Sequence, residues 1–169
     1  MTSTPPANRP VFDPAEWAIL CAATRAVYAG DTTRFGEALA GLGRVTRYAD
    51  RSVAYVRFAL RYQSAKKLNK RPTQQELRVF AAESDDRYTR YVRPEGATFI
   101  DILETVWGFR SGQPAARGND LVVLGCIALA ALLEDPVADI DAIERAMRAW
   151  VDEEYDDLAA VFEDLDADK

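Results

Sequence analysis

The sequence contains no histidine and only two cysteines among its 169 residues. Without histidine, the chain lacks the usual general base of serine and cysteine hydrolases and the commonest zinc ligand. Cys21 and Cys126 are too few for a disulfide scaffold, and both lie in apolar helical patterns, so we expect free, buried thiols. The glycine-rich motifs of standard phosphate-binding loops are also missing. These absences predict a protein without enzymatic activity and without a cofactor.

Long apolar runs are equally scarce. The longest, residues 121–133, spans only about 20 Å as a helix, against about 30 Å for the core of a bilayer. Residues 1–12 hold three prolines and no apolar stretch typical of a secretory signal, so we expect a flexible N-terminal arm. Arginine greatly outnumbers lysine, a bias typical of bacteria with GC-rich genomes. We therefore expect a cytoplasmic bacterial protein that does not associate with a membrane.

Helical periodicity dominates the rest of the chain. Asp13 and Pro14 form a typical helix start, and Gly30 a typical end. Thr73 and Glu76 match the T-x-x-E capping box at the start of a later helix. No segment alternates with the period of two that half-buried strands require. Residues 13–169 are therefore predicted to form a single all-α domain, a helical bundle of about six to seven helices with a long acidic C-terminal helix.

Two helix boundaries are predicted from glycines in the first third of the chain. Gly41 and Gly43 are expected to end a short second helix that follows Asp31. A long third helix is then expected over residues 44–68. The final helix is expected over residues 139–165, where apolar residues recur at helical spacing.

The formal charge of −6 is distributed unevenly. Residues 44–93 contain 13 Lys/Arg and 5 Asp/Glu, whereas residues 134–169 contain 3 and 14. The acidic segment could fold back on the basic one and neutralise it, could be a solvated face, or could mimic a polyanion in the groove of a partner. The sequence does not decide whether the two segments touch.

The basic segment mixes arginine with aromatic residues at helical spacing. Such side chains are enriched in protein interfaces, and they also pair with phosphates and stack on bases. In the alternative interpretation, the aromatic residues face another helix and the arginines are solvated or paired with acids. The candidate interaction residues, including two from the loop at 110–118, are Arg51, Tyr55, Phe58, Arg61, Tyr62, Arg87, Arg90, Tyr91, Arg110 and Arg117.

Residues 71–77, RPTQQEL, join two predicted helices through a short turn. This phrase resembles one found in helical regions of bacterial sigma factors and other helix-turn-helix proteins, although its spacing differs. Sequence-specific DNA binding would require the helix that begins near Gln74 to expose its N-terminal side chains. Gln74, Gln75 and Arg78 are then the candidate nucleic-acid readers. An ordinary helical hairpin is the alternative.

Paired carboxylates offer a third possibility. Glu153 and Asp157 are four residues apart on the final predicted helix and could hold Mg²⁺. Such pairs resemble those of all-helical nucleotide pyrophosphohydrolases, which use two pairs on two helices. The second pair here, Glu83 and Asp86, is distant in sequence and lies beside arginines. A carboxylate-metal enzyme is therefore the least favoured hypothesis, and no metal site is predicted.

The sequence as a whole favours a non-enzymatic regulatory or adaptor protein that binds a macromolecular partner, with protein as the first expectation. Nucleic-acid binding through residues 44–93 is the alternative. A homodimer could form through the apolar helix at 120–133 or through the long final helix, because both carry more apolar surface than an isolated helix needs.

Overall fold

Seven helices, and no strand, make up the part of the chain that the computed structural model describes, which is residues 12–45, 49–85, 99–109 and 119–152. The all-α prediction is confirmed. The helices are α1 (Pro14–Ala29), α2 (Thr32–Val45), α3 (Ala49–Lys67), α4 (Gln74–Asp85), α5 (Phe99–Val106), α6 (Asn119–Leu132) and α7 (Pro136–Asp152). The N-terminal arm and the extension of the final helix beyond Asp152 lie outside the described residues.

The predicted helix caps are present in the structure. The Asp13 side chain accepts hydrogen bonds from the backbone N–H groups of Ala15 and Glu16 at the start of α1. Gly30 ends that helix with φ of 76°, a left-handed conformation that glycine adopts without a Cβ clash. At the start of α4, the Thr73 N–H donates to Glu76, and the Glu76 N–H donates to Thr73 Oγ1. The capping box is therefore reciprocal, as predicted.

The predicted end of α2 is wrong. The helix continues through Gly41 and Gly43 to Val45, and α3 begins at Ala49 and not near residue 44. The physical reason is tertiary packing, since α2 lies along α1 and buries Phe35 and Leu42 there. A helical glycine costs only about 1 kcal/mol relative to alanine, which such packing offsets.

The apolar helix α6 is at the centre of the bundle and packs against α1, α3 and α5. From Leu121 to Leu132 its side chains are buried, apart from the partly buried Val123 and Ala131. Most of its apolar surface therefore packs within one chain, and a homodimer through this helix stays a prediction. None of the described helices is long and apolar enough to cross a bilayer.

Candidate interaction surface

The aromatic residues predicted to share one face of the basic helix lie on α3, and two of them are buried. Tyr55 is 1% exposed and Phe58 is 4% exposed. The Tyr55 hydroxyl oxygen accepts a hydrogen bond from the Asp13 N–H at 2.9 Å, and the Tyr55 and Trp17 rings meet edge to face. Phe58 stacks on the partly buried Tyr62, with ring centroids 6.4 Å apart. Tyr55 and Phe58 thus pack against the bundle, as the alternative interpretation describes.

Arg61 also lies within the bundle. It is 7% exposed, and its guanidinium carbon is 4.7 Å from the ring centroid of Trp107, which follows α5. The Trp107 indole N–H donates to Ser64 Oγ at 2.9 Å. Burial, and to a smaller extent the charge of Arg61, lowers the pKa of Arg57 one turn earlier on α3. The Arg61 charge therefore faces an internal aromatic ring.

The side chains of the other six candidate interaction residues lie outside the described part of the structure. The backbone of Arg51 belongs to α3, and its side chain is outside the described part. The other five lie wholly outside the described residues and stay predictions: Arg87, Arg90, Tyr91, Arg110 and Arg117.

The three candidate nucleic-acid readers lie in the first turns of α4. Gln74 Nε2 and Arg78 Nε both reach Glu104 Oε1 on α5, at 3.0 and 3.2 Å. Glu104 is 6% exposed, so these two donors compensate a buried carboxylate. Gln75 is exposed. Gln74 and Arg78 therefore share one carboxylate of α5, but the Arg78 side chain is still 57% exposed, as Gln75 is exposed beside it.

The basic and acidic segments are in contact through α3 and α7. Lys66 Nζ lies 3.3 Å from Asp139 Oδ1. Asp139 also accepts hydrogen bonds from the N–H groups of Glu134 and Asp135. Burial alone raises the pKa of Asp139, but these hydrogen bonds and Lys66 more than offset it, so that its pKa is lowered. Lys67 lies over the Phe80 ring, so a further cation of the basic segment has an internal contact.

Neither thiol is activated. Burial raises the pKa of Cys126 to about 12, against a smaller opposing effect of its hydrogen bond with Thr24. Burial also raises the pKa of Cys21 to about 12, although the Arg25 charge lowers it in part. Both cysteines are free, as predicted.

Within the described residues, no three cysteine or carboxylate side chains come together as a metal site would need. Glu153 and Asp157 lie outside those residues.

Two open grooves flank α1, and neither is among the predicted interaction sites. The first, here called the acidic groove, has a volume of about 430 Å³ and separates α1 from the first half of α7. Its apolar wall includes Trp17, Ala18 and Ile140, and Val137 stands at its edge with 72% exposure. Its charged residues are Arg25, Asp135, Asp141 and Glu144. Three carboxylates and one guanidinium give it a negative balance.

The second groove, here called the alanine groove, has a volume of about 670 Å³ and lies between α1 and α2. Its apolar residues are Ile19, Ala22, Ala26, Ala29, Ala38 and Gly41. Its charged residues are Arg25, Asp31, Arg34 and Glu37. The recurrence of Ala22, Ala26 and Ala29 at helical spacing is the sequence signal that could have indicated this face, because small residues in register allow another helix to approach closely.

Comparison of the chain with protein-family models, with curated proteins and with solved structures finds no match.

Proposed function

We propose that this protein is a non-enzymatic adaptor or regulatory module that binds a basic, amphipathic helical segment of a protein partner in the acidic groove. The observation that carries the proposal is the combination of an exposed Val137 with an excess of carboxylates around an apolar trough. A helix that presents apolar residues on one face and Lys or Arg beside them matches both properties.

Two of the three carboxylates that line the groove form only surface ion pairs. Asp141 pairs with Arg145 and Glu144 pairs with Arg148, each across one turn of α7. The Asp141 and Arg145 side chains are 62% and 74% exposed, and such surface pairs contribute only about 0.3–0.5 kcal/mol. A partner cation can therefore replace them at little cost. The formal charge of −6 adds long-range attraction for a basic partner.

The apolar part of the groove gives the affinity that charge alone does not. Val137 is the most exposed large apolar side chain among the described residues. Burying a side chain of this size contributes about 1.5–3 kcal/mol. Trp17 and Ile140 line the groove but are almost fully buried, so Val137 supplies most of the apolar surface that a partner would cover.

Nucleic-acid binding, the alternative function, has less support. Arg61, Lys66 and Arg78 belong to the basic segment, and each contacts a ring or a carboxylate of its own chain. The absence of histidine and the raised pKa values of both thiols likewise favour binding over catalysis.

The proposal is tested with a designed probe. A fluorescently labelled helical peptide of leucine, alanine and lysine is titrated with the full-length protein, and its anisotropy is measured. We expect saturable binding that weakens as salt is raised, because charge pairs are screened over about 10 Å at 0.1 M. The same peptide with glutamate in place of lysine is expected to bind much more weakly.

Asp141→Lys and Glu83→Lys form a matched pair of variants. Both replace an exposed carboxylate by an amine, but Glu83 is on α4 and does not line the acidic groove. We expect Asp141→Lys to weaken binding of the lysine peptide by roughly tenfold, and Glu83→Lys by less than about twofold. Equal effects of the two variants, or equal binding of both peptides, would contradict the proposed site.

A further inference from the structure

Among the residues that the structure describes, none covers the alanine groove. α2 packs chiefly against α1, and every residue that lines the groove belongs to these two helices or to the turn between them. Ala22 and Ala29 are exposed there, and Ile19 and Ala38 are partly exposed. Small side chains along both helices leave room for a second pair of helices at short interaxial distance.

The charges at this groove indicate what covers it. Arg34 Nε lies 3.4 Å from Asp31 Oδ2 near the turn of the hairpin, so these two charges of the groove form an ion pair with each other. The remaining cation, Arg25, is on α1, and the remaining anion, Glu37, is on α2. Both are exposed, and neither forms an ion pair with any residue of the described ranges.

We propose that the alanine groove is covered by the same groove of a second copy of this chain, related by a two-fold axis. An isologous interface requires a surface that is complementary to itself. The groove carries Arg25 on α1 and Glu37 on α2, so a second copy that is rotated by 180° presents an anion to each cation and a cation to each anion. Arg25 of one protomer then pairs with Glu37 of the partner subunit, and the reverse pair forms at the same time.

The resulting dimer joins two α1–α2 hairpins into a four-helix arrangement. The two grooves supply an apolar centre of small residues, and the two reciprocal ion pairs form its rim. This arrangement agrees with the general anatomy of interfaces, which have an apolar core and a charged rim. Arg25 lines both grooves, but sedimentation measures the dimer and peptide anisotropy measures the acidic groove, so failure of one proposal can be distinguished from failure of the other.

The test uses sedimentation equilibrium on the full-length protein from about 1 to about 200 µM. We expect a reversible dimer for the natural sequence. Arg25→Glu and Glu37→Arg each place like charges in both pairs, and each is expected to weaken the dimer by roughly tenfold or more. The double variant Arg25→Glu/Glu37→Arg exchanges the two charges and is expected to restore dimerisation.

Mixing the two single variants tests the reciprocity directly. A protomer with Arg25→Glu offers two carboxylates, a protomer with Glu37→Arg offers two guanidinium groups, and both pairs become attractive in the mixed dimer. We therefore expect the mixture to associate more tightly than either variant alone. Both substitutions are on exposed positions, so we expect each variant to fold, and circular dichroism tests this.

Two further variants test whether the dimer uses the alanine groove: Gly36→Ala is a control outside the groove, and Ala22→Arg blocks it. Gly36 is on α2 but does not line the groove, so Gly36→Ala is expected to leave the dimer unchanged. Ala22→Arg places a bulky charge on the groove floor and is expected to abolish the dimer. A monomer at every concentration overturns the proposal. A dimer that is insensitive to the charge variants and to Ala22→Arg overturns it as well.

Discussion

At the scale of single residues, Gly125 on the central helix α6 packs closely against Val56 and Leu60 of α3. A Cβ at this position would overlap with Cγ1 of Val56, a β-branched side chain with few alternative rotamers. We expect Gly125→Ala to lower the free energy of unfolding by about 1–3 kcal/mol, because an added methyl group in a packed core displaces its neighbours. Urea denaturation followed by circular dichroism measures this change.

Two comparisons show whether the steric overlap is the cause. Gly36→Ala makes the same chemical change on α2, where an added Cβ meets no atom within 4 Å, and is expected to stabilise by about 0.5–1 kcal/mol. Val56→Ala combined with Gly125→Ala is expected to cost less than the sum of the single variants. Additive costs would show that the two side chains do not compete for the same space.

At the scale of helices, Asp139 joins α7 to the loop before it and to α3. Its carboxylate accepts two backbone hydrogen bonds and lies beside Lys66. Since the pKa of Asp139 is lowered in the folded chain, its stabilising effect is complete above the unfolded pKa of about 3.9 and is lost as the pH falls through the folded value.

We expect Asp139→Asn to reduce the free energy of unfolding by about 1–2 kcal/mol near neutral pH, because hydrogen bonds to a charged group are stronger than those to a neutral one. At about pH 3, below the unfolded pKa, the difference from the natural protein should shrink, since Asp139 of the unfolded chain then binds a proton and this favours unfolding. Urea unfolding at both pH values measures the difference. Asp141→Asn, on an exposed carboxylate of the same helix, is the control. A difference that is equal at the two pH values would contradict this account.

The helix ends show which local features the sequence could predict. Asp13, Gly30 and the Thr73–Glu76 capping box act through backbone groups only a few residues away, and all were predictable from the sequence. The end of α2 was not predictable in the same way. Gly41 and Gly43 weaken a helix locally, but contacts of α2 with α1 decide the outcome, and those contacts depend on the tertiary arrangement.

At the scale of the whole molecule, helical periodicity could predict an all-α bundle, but it could not predict which surfaces are open. Tyr55 and Arg61 carry side chains typical of interfaces, yet the bundle encloses both. Alanines on α1 carry no such signal in their residue type, yet they border an open groove. Exposure depends on how the helices are arranged around α6, which periodicity within one helix does not specify.

Arg25 lines both grooves and is therefore expected to couple them. In the monomer, its charge repels a basic peptide from the acidic groove. In the proposed dimer, Glu37 of the partner subunit neutralises that charge, so the peptide should bind more tightly. Because such coupling is reciprocal, the lysine peptide should strengthen the dimer by the same factor, roughly two- to fivefold for one partly screened charge.

Sedimentation equilibrium with and without the peptide measures this factor. Glu37→Gln removes the neutralising carboxylate and leaves Arg25 in place, so the peptide should no longer strengthen whatever dimer remains. Peptide that leaves the natural dimer unchanged would show that the Arg25 charge does not reach the acidic groove. Peptide that dissociates the dimer would show that the two grooves compete for one surface, because a ligand can favour the monomer only by binding it more tightly.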